Sequence, residues 1–288
     1  MRKRLRDKLS EAHPKEELGK VYSSFDVIGD IAIIKIPPSN TANAKTIAKQ
    51  IMAVHGNIKT VFTPASSISG DFRVRMLRLL AGENKTVTTH RESGCSFRVD
   101  VEKTYFSPRL SFEHKRIACL VKRSETVVNM FAGVGCFSIV IAKSVNPVKV
   151  YSIDVNYVAI ECMKENVKVN HVEGSVFPML GDAKDIIATN LRGVADRVLM
   201  PLPEKALEYL PYALSALKPT GGWIHFYDFQ YAPGKANPLE KTRAMVSQKL
   251  DILDIKYVIA NSRVMRSTGP NWYQTVLDIQ VSELPNKL

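Results

Sequence analysis

At 288 residues the chain is long enough for one large domain or two ordinary ones, and its 45% apolar and 24% charged residues are the balance of a soluble globular protein. No run is apolar enough to cross a bilayer, the start MRKRLRDKLSEAHPKEELGK lacks the apolar centre of a secretory signal, and its acidic residues argue against an organellar presequence. The excess of 40 Lys and Arg over 28 Asp and Glu, a formal charge of +12, predicts a polyanionic partner because each phosphate neutralised releases counterions; a solvated basic surface is the alternative.

Residues 1–24 are basic, polar and poor in periodic apolar positions, and read as a tail or one short helix. FDVIGDIAIIKI predicts two strands about a turn at Gly29-Asp30. NAKTIAKQIMAVHG has helical apolar spacing and stops at Gly56. KTVFTP is a short strand, GDFRVRMLRLLAGE begins extended and ends in a turn, and KTVTTHRESGCSFRVDV is a hairpin about Ser93-Gly94. Residues 25–104 therefore read as a small α+β domain.

From residue 105 the texture changes. YFSPRLSFEHKRIACLVK predicts a helix with Ser107 as N-cap and Pro108 at its first position. Strands and helices then alternate: TVVNMF and CFSIVIAKS, VKVYSIDV and NYVAIECMKENVKVN, SVFPMLGDAKD, ADRVLMPLP, a helix from Glu204, GGWIHFYDF, and a helix around LEKTRAMVSQKL. KYVIANSRVMR and WYQTVLDIQV close the chain, near enough in sequence to pair antiparallel. Repeated βα units predict a parallel, doubly wound sheet with helices on both faces. The four cysteines, Cys95, Cys119, Cys136 and Cys162, form no CxxC pair and read as reduced thiols of a cytosolic protein.

The stretch TVVNMFAGVGCFSIVIAK breaks from strand to helix through Gly133-x-Gly135-x-x-Ser138, an incomplete dinucleotide fingerprint placed after the first strand of the βα series. Asp154 ends the next strand about twenty residues on, where an acid grips ribose hydroxyls. NAD and S-adenosylmethionine both fit that acid, and the second brings no pyrophosphate to the helix N-terminus. GDAKD favours S-adenosylmethionine, because Asp182 at the third strand's end is suited to accepting a bond from an adenine amine.

YFSPRL with its following acid, NMFAGVGCFSI, YSIDVN, GDAKD and ADRVLMPLPEKA occur in this order over roughly residues 25–281, and together the chain resembles the archaeal and eukaryotic tRNA (guanine(37)-N1)-methyltransferases. The resemblance implies a Rossmann-like class I methyltransferase sheet over residues 105–288, a smaller α+β domain that helps seat tRNA, and methyl transfer from S-adenosylmethionine to guanine beside the anticodon. It implies a cofactor site made by Asn129, Phe131, Gly133, Gly135, Asp154, Val155, Asp182, Ala183 and Pro201. Methylating N1 requires a general base, stabilisation of charge on O6 and an unstacked guanine. The resemblance makes Glu113 the base, Arg73 and Tyr105 its catalytic companions, and Arg109 and Pro203 substrate contacts.

Three positions depart from the family pattern. Asn129 stands where aspartate is usual, keeping an acceptor and losing a charge. Pro201-Leu202-Pro203 replaces Asn-Leu-Pro and cannot reproduce the amide's bonds to guanine. His114 follows the base where arginine is frequent, and reads as a solvated helix histidine. Many relatives carry a further N-terminal domain where this chain has its basic tail. The expected protein is a monomeric, cytoplasmic enzyme acting on the tRNA anticodon arm, with no membrane partner and no metal. Its alternatives are a wybutosine-pathway aminocarboxypropyltransferase using the same cofactor, a non-catalytic RNA-binding module and, remotely, an NAD-dependent oxidoreductase.

Overall fold

Gly29 and Asp30 reverse the chain between two short antiparallel strands, β1 (Asp26–Ile28) and β2 (Ile31–Ile33), as the turn chemistry predicts. The computed structural model describes residues 25–66, 70 and 72–284, so the basic extension lies outside the described residues. α1 (Ala44–Val54) buries Ile47, Ala48 and Ile51 along one stripe and carries the chain over to β3 (Thr60–Pro64), which runs parallel to β2. β4 (Leu77–Gly82) pairs antiparallel with β3, giving the sheet order β1-β2-β3-β4, and β5 (Val87–Glu92) and β6 (Cys95–Asp100) form the separate hairpin read from Ser93-Gly94. Ile34, Ile58, Val61 and Leu80 complete the small core around α1.

The chain divides into two compact units, Met1–Ser111 and Phe112–Leu288. Residues 105–110, read from sequence with the second domain, fall in the first unit, where Arg109 pairs with Asp26 of β1 at 2.7 Å. The expected helix start is also different in detail. Pro108–Leu110 is a 3-10 turn that the Ser107 side chain does not cap, and α2 (Ser111–Leu120) begins after it.

The second unit is a seven-stranded sheet in the order β12-β13-β11-β10-β7-β8-β9. The strands are β7 (Thr126–Asn129), β8 (Lys149–Asp154), β9 (Val176–Leu180), β10 (Arg197–Met200), β11 (Gly222–Tyr231), β12 (Lys256–Gly269) and β13 (Trp272–Glu283). The first five are parallel, and β13 runs antiparallel to β11 and β12. Between them run α3 (Cys136–Ser144), α4 (Tyr157–Val169), α5 (Ala183–Ile186), α6 (Ala206–Ala216) and α7 (Pro238–Ile252). α5 and the turn of π-helix after it, Ile187–Leu191, have no counterpart among the predicted elements, being too short to show a helical period.

From β7 the chain winds outward through β8 and β9, then returns to add β10 and β11 on the other side. That reversal opens a crevice at the carboxyl ends of β7 and β10, where doubly wound sheets hold ligands. Fully buried Val198, Leu210, Leu214, Phe226, Val246 and Leu277 pack beneath it. Among the described residues no helix is long and apolar enough to cross a membrane.

Candidate active site

The glycine turn after β7 is shaped by backbone conformation. Gly133 and Gly135 have φ of +56° and +93°, and a Cβ on Gly135 would stand 2.7 Å from Met163 Cγ. Gly135 is the N-cap of α3, so the turn delivers the chain directly into the helix. At the end of β8, Asp154 Oδ2 accepts the Gly133 N–H at 2.7 Å and Oδ1 accepts the Asn156 N–H at 2.9 Å. Burial raises the Asp154 carboxyl above the ordinary aspartate value, outweighing these two amide bonds.

Asn129 ends β7 with no exposed surface; its Nδ2 donates to Ser138 Oγ at 3.1 Å, and Oδ1 has no partner. Ser138, in the last position of the fingerprint, also accepts from Ser152 Oγ at 2.7 Å, so a hydroxyl does structural service where a third glycine is common. Asp182 caps α5 and takes the Tyr209 hydroxyl on both oxygens, at 3.0 and 2.9 Å. Burial, then the Asp182 carboxylate, pushes the Tyr209 phenol far up, so it stays a donor. Phe131 meets the Tyr209 ring edge-on at 5.2 Å between centroids. Val155 is exposed, Ala183 is buried, and Pro201 and Leu202 are half-buried before a buried Pro203.

The nine residues expected to hold a cofactor therefore gather at the carboxyl ends of four adjacent parallel strands. They fit S-adenosylmethionine. Asp154 offers acceptors for a ribose diol and Asp182 an acceptor for an adenine amine. The orphaned Asn129 Oδ1 is a buried acceptor lacking a donor, the kind of partner an ammonium group would satisfy.

Glu113, on α2, has no exposed surface. Its carboxylate accepts from Arg116 Nε and Nη2 at 2.9 and 2.7 Å and from the Tyr227 hydroxyl at 2.8 Å, with Arg263 Nη2 at 3.7 Å. Arg116 also grips Asp278 at 2.6 and 3.1 Å, and Asp278 Oδ1 lies 2.6 Å from His225 Nδ1. His225 Nε2 in turn lies 2.6 Å from Arg197, whose guanidinium pairs with Glu125 at 2.8 Å. Burial pulls the His225 imidazole below its ordinary value despite Asp278, so it is neutral near pH 7. Burial lifts the Tyr227 phenol, and the neighbouring Glu113 charge lifts it further.

The expectation of a solvated His114 is overturned. It is buried and packs edge-on against Phe137 of α3, 4.5 Å between ring centroids. Glu113, His114, Ile117 and Ala118 form the single buried stripe of α2, so the residue after Glu113 turns inward with it.

In the first unit, the Arg73 guanidinium lies over the Tyr105 ring at 4.1 Å from its centroid, with the Arg73 backbone at φ +51°. Both line a small hollow together with Ile28, Arg75 and Phe106. Burial lowers the Arg75 guanidinium below its ordinary value, against the pull of Asp26 and Tyr105. Arg109 Nε is held by Asp26 and its side chain is half-exposed.

Sequence reading missed Arg116, Tyr209, Tyr227, His225 and Asp278. Arg116 was within reach, because a cation three residues after Glu113 on one helix is a neighbour of it. The others come from strands and helices far along the chain and carry no local signal.

Comparison with known proteins agrees with this fold. Residues 88–253 match the TRM5/TYW2 methyltransferase domain and residues 5–86 the TYW2 N-terminal domain. The tRNA (guanine(37)-N(1))-methyltransferase Trm5b of Pyrococcus abyssi is 40% identical over 273 residues, 93% of this chain and 78% of that protein. A solved complex of aTrm5 and tRNALeu superposes with a TM-score of 0.83 at 34% identity, over 98% of this chain and 79% of that one. TYW2 of Pyrococcus horikoshii in complex with MeSAdo gives 0.80 at 29% identity, over 98% of this chain and 99% of that one. With its doubly wound sheet and this cofactor crevice, the chain belongs to the TRM5/TYW2 methyltransferase family.

Proposed function

We propose that this protein is a tRNA (guanine(37)-N1)-methyltransferase, using S-adenosylmethionine to methylate N1 of the guanosine next to the anticodon. The observation that carries the reading is Glu113: a carboxylate with no exposed surface, in the same unit as the cofactor crevice and on the helix that follows YFSPRL. The relative at 40% identity carries the same activity in its name.

S-adenosylmethionine supplies a methyl group already activated on a sulfonium. What remains for this chain is to bind the cofactor, hold the guanine and take the N1 proton. Asp154, Asp182 and Asn129 bind. Glu113 takes the proton, and its bond from Tyr227 fixes the carboxylate's orientation. Arg73, stacked on Tyr105, is suited to the developing charge on O6. Arg109 and the Pro201–Pro203 segment contribute substrate contacts; the proline ring at 201 leaves backbone carbonyls, not an amide side chain, for recognition. The residue 25–104 domain seats the anticodon arm, and the enzyme acts as a cytoplasmic monomer.

The test is nucleoside mass spectrometry on a tRNA transcript with guanosine at position 37. The expected product is 1-methylguanosine, and a transcript with adenosine there should be inert. Glu113→Gln keeps the side chain's size and one acceptor oxygen but cannot take the proton, so its rate should fall by roughly two to four powers of ten with cofactor binding near wild type. Full activity in that variant removes Glu113 from the role, and a product bearing an aminocarboxypropyl group moves the protein to the other branch of its family.

A further inference from the structure

We infer that Asp278 is a positioning residue for proton transfer: it is the counter-ion that keeps Arg116 paired once Glu113 has accepted a proton. The inference rests on the reading of Glu113 as the base.

A carboxylate gripped by a guanidinium is a poor proton acceptor, because neutralising it leaves a half-buried cation without its counter-ion. Arg116 grips Glu113 through Nε and Nη2, at 2.9 and 2.7 Å. A guanidinium committed to Glu113 alone would oppose the very step the reaction needs. It is not committed to Glu113 alone. The other edge of the same fork meets Asp278 at 2.6 and 3.1 Å.

The charges around Glu113 can be followed through the step. Before it, Glu113 and Asp278 share Arg116, with half-exposed Arg263 of β12 3.7 Å from Glu113. Tyr227 of β11 and Asn261 of β12 donate neutral bonds, to Glu113 at 2.8 Å and to Asp278 at 3.2 Å. His225 of β11 is the remaining titratable group against Asp278. In the step the guanine N1–H bond breaks and the proton goes to a Glu113 oxygen. The electron pair stays on N1 and forms the bond to the methyl carbon, while the carbon–sulfur pair returns to sulfur. Afterwards Glu113 is neutral, and Arg116 and Asp278 remain a closed ion pair. No half-buried cation is left alone.

Asp278 is itself held for this duty. It ends up well below the ordinary aspartate value: burial alone would raise it, but the hydrogen bonds from His225 and Arg116 and the Arg116 charge more than offset that. It therefore stays ionised at any pH at which the enzyme works.

The experiment is the single-turnover rate of methyl transfer to a tRNA transcript as a function of pH, with cofactor affinity measured alongside. Asp278→Asn should lower the rate about tenfold or more and move the acidic limb to lower pH, because Arg116 then bears on Glu113 alone. Arg116→Gln should move that limb the opposite way, to higher pH. Asp278→Glu, which keeps the charge, should recover most of the rate. In a Glu113→Gln background, Asp278→Asn should cost nothing further, whereas a purely structural role would cost the same in both backgrounds. An unmoved limb in Asp278→Asn, or an undiminished additional loss in the double variant, overturns the inference. If Asp278→Asn does not fold, Arg116→Gln decides: an upward limb supports the inference and an unmoved one overturns it. Full activity in Glu113→Gln instead overturns the base assignment beneath it, so the two failures are told apart.

Discussion

The amide of Gly133 donates to Asp154 Oδ2 at 2.7 Å, tying the glycine turn after β7 to the end of β8. The carboxylate is thereby oriented with acceptor capacity left for a ribose, and the turn is braced in its left-handed backbone conformation. Asp154→Ala should weaken S-adenosylmethionine binding by about 1.5–3 kcal/mol, the scale of hydrogen bonds lost to a charged group. Calorimetric titration checks this; unchanged affinity in a folded variant would remove Asp154 from the ribose.

Tyr209 of α6 gives both Asp182 oxygens the same hydroxyl and so holds that carboxylate from a neighbouring helix. Tyr209→Phe should leave Asp182 less ordered and weaken cofactor binding by about 0.5–1.5 kcal/mol. Adenosine should lose affinity in parallel, because Asp182 is assigned to the adenine. Loss of cofactor affinity with adenosine binding intact would move Asp182 to another part of the ligand.

The depressed Asp278 carboxyl has a consequence for acid stability. Its folded value lies below the unfolded one, so it contributes stability above the ordinary aspartate value of about 3.9. That contribution fades as pH falls below about 3.9 toward the lower folded value. Denaturant titrations across that window should show wild type losing stability more steeply than Asp278→Asn. Parallel curves would locate the acid sensitivity in other carboxylates.

A formal charge of +12 makes tRNA affinity a matter of counterion release to a large degree. Binding should weaken log-linearly with salt, and removal of the basic residues 1–8 should reduce the slope. A flat salt dependence would leave the charge without a role in tRNA binding.

How much of this was legible beforehand follows from the range of the forces involved. The βα alternation, the glycine turn and the two strand-end aspartates were readable because strand period, helix period and turn chemistry act over a few residues. The closing antiparallel pair was readable too, since β12 and β13 are joined by a short turn. The boundary between the units was not: residues 105–110 precede a helix of the second unit, yet Arg109 is captured by Asp26, 83 residues earlier.

Glu113 shows the same division within one side chain. The motif around it marked the residue, and its helix placed it on the stripe with Ile117 and Ala118. The surroundings that decide its chemistry arrive from elsewhere: Tyr227 lies 114 residues on, and Asp278 reaches Arg116 across 162. Only the stacking of α2 against the finished sheet brings them together. The sequence by itself determined which residue types line the crevice and in what order, because those depend on local backbone preference. Tertiary structure decided that His114 is buried, that Asp182 is held by Tyr209 and that one guanidinium serves two carboxylates. Desolvation and charge pairing depend on what surrounds a group in space, and its neighbours along the chain do not reveal it.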